Sequence, residues 1–185
     1  NEYKNLRKLK TARNDAEAVS TLLNKEYGYE VTLLLDATRK QIMDAFSNLR
    51  KNLTQQDNLL IYYAGHGYLD KDTGRGYWLP VDAEADSPAN WISTSDISDA
   101  VKAMSAKHVM IVADSCYGGT LTRGITVTVK GSDYLRRLAE KKTRVVLTSG
   151  GVEPVADEGG QGHSVFAKMF LDVLNKNTGI MEGTR

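Results

Sequence analysis

Two short clusters of reactive side chains stand fifty residues apart in this chain. His66 lies between Gly65 and Gly67, directly after the apolar run Leu59-Leu60-Ile61-Tyr62-Tyr63-Ala64. Cys116, the chain's one cysteine, follows Asp114-Ser115 at the end of the run Val109-Met110-Ile111-Val112-Ala113 and precedes Tyr117-Gly118-Gly119. A thiol beside an imidazole that can take and return its proton is a nucleophile toward carbonyl carbon. Glycine on either side leaves the backbone bare, so that an extended peptide can come close and N–H groups can meet a developing oxyanion. The N–H groups of Gly67 and Cys116 are the candidates for that oxyanion hole. A lone cysteine is more often a small buried hydrophobe, and a lone histidine can be a turn residue. A thiol past a strand end, beside Asp114 and before two glycines, is poorly placed to be hidden from water, which favours the nucleophile. His108 and His163 have no such cysteine-linked setting. No Cys-x-x-Cys or His-x-x-x-His spacing offers a zinc site, and the surroundings of Ser115 lack the glycine spacing of a serine-hydrolase elbow.

Both clusters must be positioned by the elements that end at them. Ala12, Ala16, Val19, Leu22 and Leu23 recur at helical spacing between Thr11 and Tyr27, with Gly28 placed to stop the helix. Val31–Leu35 and Leu59–Ala64 read as buried strands, and Ile42, Ala45, Phe46, Leu49 and Leu53 mark a helix between them. A glycine-rich, acidic loop follows. Ser93–Ser105 then reads as a capped helix and Val109–Ala113 as a third strand. A polar loop over 118–131, a helix near 133–141, a strand over Val145–Thr148 and a helix over Ser164–Leu174 complete the order. Apolar runs alternating with helices predict an α/β fold, a three-layer αβα sandwich around a mainly parallel sheet. In such a sheet ligands bind beyond the carboxyl ends of the strands, where His66 and Cys116 both fall. Adjacent strands lie ~4.8 Å apart, so neighbouring runs in parallel register would let the two side chains share a crevice.

Composition narrows the function classes. A chain of 185 residues with 41% apolar and 25% charged residues fits one globular domain. The net charge of +1 gives no overall attraction to nucleic acid or to an acidic membrane. No apolar stretch approaches the ~20 residues that span a bilayer, and no secretory leader opens the sequence. One cysteine excludes an internal disulfide and suits a reducing cytoplasm.

The segments Tyr62-Tyr63-Ala64-Gly65-His66-Gly67 and Asp114-Ser115-Cys116-Tyr117-Gly118-Gly119, at this separation, resemble the caspase-like cysteine peptidases, and among them bacterial caspase homologues and metacaspases (peptidase family C14). The likeness extends through Thr11-Ala12-Arg13-Asn14-Asp15-Ala16, Tyr77-Trp78-Leu79-Pro80-Val81-Asp82 and Gly162-His163-Ser164-Val165-Phe166-Ala167, and so covers nearly the whole chain. It implies a peptide-bond hydrolase in which Cys116 attacks, His66 handles the proton and no third side chain is obligatory. It implies a single catalytic domain over 1–185, with a large-subunit-like region to about 122, a linker over about 120–132 and a small-subunit-like region beyond. Asp114 stands two residues before the nucleophile, as in metacaspases, where aspartate-cutting caspases have Gln. With Asp15 as a second acidic position, the resemblance implies substrate binding through basic side chains and cleavage after Arg or Lys. A carboxylate beside the thiol disfavours the thiolate, a penalty that an incoming cation would relieve. The structural alternatives are a helix-start role for Asp15 and helix capping for Asp114.

Several metacaspases need calcium, and Asp82, Glu84, Asp86, Asp96 and Asp99 offer oxygen ligands in the corresponding part of the chain, although a solvated acidic surface explains them as well. No cofactor is required by the chemistry itself. Asp70-Lys71-Asp72-Thr73-Gly74 reads as a turn, lacking EF-hand spacing. Arg123 and Lys130 are candidate self-cleavage points, and 153–158 is expected to help line the peptide groove. The family also places a strand between those assigned to 31–35 and 59–64; it is missing from this sequence, so an upstream or substitute segment is expected there. A caspase-like module that binds peptides without cutting them is the second functional reading. A flavodoxin-like carrier is disfavoured for want of a phosphate-binding glycine loop.

Overall fold

The computed structural model describes residues 1–115, 142–149 and 162–177. Its centre is a parallel sheet of three strands, β1 (Asn58–Ala64), β5 (His108–Asp114) and β6 (Thr143–Thr148), in the order β1-β5-β6. Strands β1 and β5 run in register from Asn58 opposite His108 to Ala64 opposite Asp114. Helices α1 (Ala12–Tyr27) and α4 (Val165–Lys176) cover one face; α2 (Arg39–Asn52) and α3 (Thr94–Lys102) cover the other. Alternation along the strands divides the core accordingly. Leu60, Tyr62, Met110 and Val112 pack with Val19, Leu23, Phe170 and Leu174, while Leu59, Ile61, Val109 and Ile111 pack with Phe46, Ile97 and Val101. This is the expected three-layer αβα arrangement.

The helices begin and end where local chemistry dictates. Thr38 and Gln41 form a reciprocal capping box on α2, and Ser93 and Ser164 accept the N–H groups of Asp96 and Ala167 at the starts of α3 and α4. Gly28 closes α1 in the left-handed region, at φ 68°.

Two sequence expectations change. Val31–Leu35 forms no strand: it has no ladder partner among the described residues, and Leu33 and Leu34 stay exposed. An apolar run becomes a strand only where a neighbour completes its backbone hydrogen bonds. The supposed loop after β1 is instead a second sheet, made of β2 (His66–Asp70), β3 (Arg75–Leu79) and β4 (Ile92–Ser93) in antiparallel pairing. Asp70–Gly74 is the turn between β2 and β3: the Asp70 carboxylate accepts the N–H groups of Asp72 and Thr73 and the Thr73 hydroxyl. The predicted loop over 118–131, the helix near 133–141, the cleavage candidates Arg123 and Lys130, and the groove segment 153–158 lie outside the described residues.

Candidate active site

His66 stands where the two sheets meet. It is the first residue of β2, opposite Leu79, and follows Gly65 directly beyond the end of β1. The Gly65 N–H donates to the Asp114 carbonyl at 3.2 Å, so the β1–β5 pairing continues one step past the strands. The chain therefore leaves β1 toward His66 and leaves β5 through Ser115 at the same sheet edge. Cys116 comes next in the sequence and lies outside the described residues. Gly67 lies in β2 opposite Trp78.

Residues 1–11 strap this edge and orient the imidazole. The Arg7 carbonyl is 2.7 Å from His66 Nε2. A carbonyl only accepts, so Nε2 carries the proton and the neutral ring presents Nδ1 as its basic atom. The Tyr3 ring lies 4.6 Å from the imidazole centre at 57°, and its hydroxyl accepts the His66 N–H at 2.9 Å. Tyr63 donates its hydroxyl to the His66 carbonyl at 2.8 Å. Burial raises the pKa of both tyrosines, keeping both hydroxyls protonated. The strap is itself tied down: the Lys4 N–H donates to Val81, the Asn5 amide to Ala83, and the Glu2 N–H to Asp36. Asp82, next to Val81, accepts the Arg39 N–H at the first turn of α2.

The two predicted pocket carboxylates come together over the face of the sheet that α1 and α4 cover. Asp15 is wholly buried and Asp114 nearly so. Asp15 Oδ1 meets His163 Nδ1 at 2.6 Å, and its Oδ2 accepts the Ser164 N–H at 3.3 Å. The Ser164 hydroxyl donates to Asp114 Oδ2 at 2.5 Å while accepting the Ala167 N–H at 2.9 Å. One serine thus links both acids at the start of α4, where the helix dipole favours negative charge. Asp15 accordingly serves the start of α4 rather than that of its own helix. Tyr62 faces the same cluster: burial, then the charges of Asp114 and Asp15, push its phenol pKa up. Asn14 donates to the Gly162 carbonyl at 3.4 Å, so two sequence motifs 148 residues apart interlock.

Strand-end logic singled out His66, and the family resemblance Asp15 and Asp114, but neither pointed to Arg7, Tyr3 or Ser164 as partners in the site. A backbone carbonyl leaves no trace in residue type, and a helix-capping serine resembles any other. Among the described residues no three His, Cys, Asp or Glu side chains converge as a metal-ligand set. Asp82 is engaged at α2, and Asp99 pairs with Lys102 along α3. Asp82, Glu84, Asp86, Asp96 and Asp99 thus form no converging ligand set among the described residues. No described helix is long and apolar enough to cross a membrane.

The family model for the caspase domain of peptidase family C14 matches residues 1–182. The chain belongs to this family. Metacaspase-1A of Neurospora crassa is 29% identical over 175 residues, a match that takes in 83% of this chain and 38% of that protein. The caspase-domain chain therefore spans well under half the length of this curated relative. A crystal structure of a protein from Geobacter sulfurreducens shares the fold, with a TM-score of 0.65 and 18% identity over 91% of this chain and 74% of that one.

Proposed function

We propose that this caspase-family chain is a cysteine endopeptidase that works through Cys116 and His66 and cleaves peptide bonds after Arg or Lys. The observation that supports it most is the parallel register of β1 and β5, which ends both strands at one edge, with the His66 tautomer set by the Arg7 carbonyl. In this reading His66 Nδ1 takes the thiol proton and the Cys116 sulfur attacks the carbonyl carbon. The N–H groups of Gly67 and Cys116 hold the oxyanion, and the imidazolium gives its proton to the departing amine. Water, deprotonated by the same imidazole, then releases the acyl group. The Arg7 carbonyl fills the orienting role that a third side chain plays in other hydrolases.

Asp15 and Asp114 would bind the basic side chain on the amino side of the cut bond. Two buried carboxylates joined through Ser164 form an anionic site whose charge a guanidinium or ammonium offsets. The substrate is then a protein or peptide, with no part for nucleic acid or membrane, and the reaction needs no metal. By the same family likeness, the linker over 120–132 separates large- and small-subunit-like regions and offers Arg123 and Lys130 for self-cleavage. The single cysteine fits work in a reducing cytoplasm.

Fluorogenic peptides ending in Arg, Lys or Asp, assayed with and without calcium and with Cys116→Ala as control, test this directly. Cleavage after Arg and Lys that vanishes in Cys116→Ala is the expected result; preference for Asp would defeat the acidic pocket. Fast iodoacetamide labelling of Cys116, slowed in His66→Ala, separates an enzyme from a silent peptide-binding module, whose thiol would be inert.

A further inference from the structure

We propose that His163 tunes the acidic pocket as a positioning residue on Asp15, competing with the substrate's cationic side chain for that carboxylate. The proposal rests on the reading of Asp15 and Asp114 as the site for a basic side chain. The Asp15 side chain is 1% exposed, and each of its oxygens is engaged by a donor that differs in freedom from the other. The Ser164 N–H on Oδ2 belongs to the backbone at the start of α4 and cannot leave without unwinding that turn. The His163 imidazole on Oδ1 is 24% exposed and hangs on side-chain torsions that can rotate. Its backbone is anchored: Gly162 just before it adopts φ 78°, and Asn14 holds the Gly162 carbonyl. The ring is thus the replaceable donor on a buried carboxylate, on a fixed stem, at the border between that carboxylate and solvent.

Two consequences follow. In the empty site His163 gives Asp15 a hydrogen-bonding partner, so that the carboxylate is not left buried with an unmet oxygen. When a guanidinium or ammonium arrives, binding Asp15 requires it to displace the ring, and the hydrogen bond given up is subtracted from the one gained. Ser164 holds Asp15 through its backbone N–H and Asp114 through its hydroxyl, so the adjustment reaches both acids through one residue. His163 therefore weakens binding of cationic side chains selectively and leaves neutral ones unaffected.

The test uses peptide substrates carrying Arg or its uncharged isostere citrulline at the cleavage position, with wild type, His163→Ala and His163→Asn. His163→Ala is expected to lower KM for the Arg peptide by about tenfold, more than it alters kcat, without a matching change for citrulline. His163→Asn, whose amide can replace the Nδ1 donor, is expected to stay near wild type. Imidazole resonances of His163 in the Cys116→Ala protein, which keeps His163, should shift when the Arg peptide is added and remain still with the citrulline peptide. Thermal melting of each variant establishes folding, and the resonance measurement decides the matter even if His163→Ala does not fold. If wild type prefers Arg over citrulline but neither KM nor the His163 resonance responds, His163 is a fixed strut and this inference falls while the pocket stands. If wild type shows no preference for Arg or Lys over citrulline, the pocket itself is refuted, and the role of His163 with it.

Discussion

A methyl group at Gly65 would have nowhere to go. Its Cβ would meet the hydroxyl oxygens of Tyr63 at 2.7 Å and of Tyr3 at 2.8 Å, both well inside contact distance. These are the hydroxyls that bond the backbone on either side of His66. Gly65→Ala is therefore expected to cost about 1 to 3 kcal/mol, as overpacking does, and to lower kcat/KM beyond what partial unfolding explains. Urea denaturation and peptide cleavage on the same preparation check this; unchanged stability would show that the tyrosines yield freely. The sequence makes Gly65 look like a residue that admits substrate, whereas its Cβ position is filled by the supports of the catalytic candidate. His66 itself was legible because its type, its glycine neighbours and its place after an apolar run are all local. Tyr3, 63 residues upstream, was not, since only the folded strap brings it to the imidazole.

Ser164 and His108 show how much an element's ends decide. Ser164 caps α4 and donates to Asp114 while 4% exposed. Ser164→Ala removes the cap and leaves a buried carboxylate short of a donor, for an expected loss of about 2 to 4 kcal/mol. Ser164→Thr, which keeps the hydroxyl, should recover most of it; equal losses in the two variants, measured by chemical denaturation, would count against the hydrogen bonds as the cause. At the opposite end of β5, His108 bonds the Thr143 hydroxyl across to β6. Burial, then Lys107 and Arg144, hold its pKa below the ordinary value of 6.5. The unfolded chain then binds more protons than the folded one at mildly acid pH, so this group's contribution is complete above about 6.5 and is lost as pH falls through the lowered folded value. Melting temperatures from pH 7.5 to 5 should decline less in His108→Asn than in wild type, and parallel profiles would exclude His108 as the source. The helices were readable because capping residues and apolar spacing agree, as at Thr38–Gln41 and Gly28. Strands β2 and β3 read as a loop because each is only five residues long and is interrupted by a glycine beside a polar or charged residue, with pairing supplied by the partner rather than announced by composition.

At the scale of the molecule, the described strands of the central sheet are unevenly enclosed, and this separates what an apolar run promises from what a fold delivers. The runs that became β1, β5 and β6 looked alike in sequence, yet among the described residues only β5 lies between two strands and carries a series of buried residues; β1 and β6 are half-buried along most of their length. Hydrophobic content sets the preference for the interior, while neighbours set how far that preference is met. Among the described residues β1 pairs on one side only, and Val31–Leu35, the run expected beyond it, takes no part in the sheet. In a parallel ladder a strand directs alternate N–H groups to each neighbour. Every second amide of β1 thus points away from β5, toward the side with no described strand. For the sheet as its described strands pair, native-state hydrogen exchange should show β5 slow at every position, opening only with global unfolding, and β1 alternating between slow and fast amides with a period of two. Uniformly slow exchange along β1 would overturn this picture, since it requires another strand to cover that edge. The distinction bears on activity as well, because β1 ends at Gly65 and His66: if its edge opens readily, the imidazole's position depends on Arg7, Tyr3 and Tyr63 more than on the sheet.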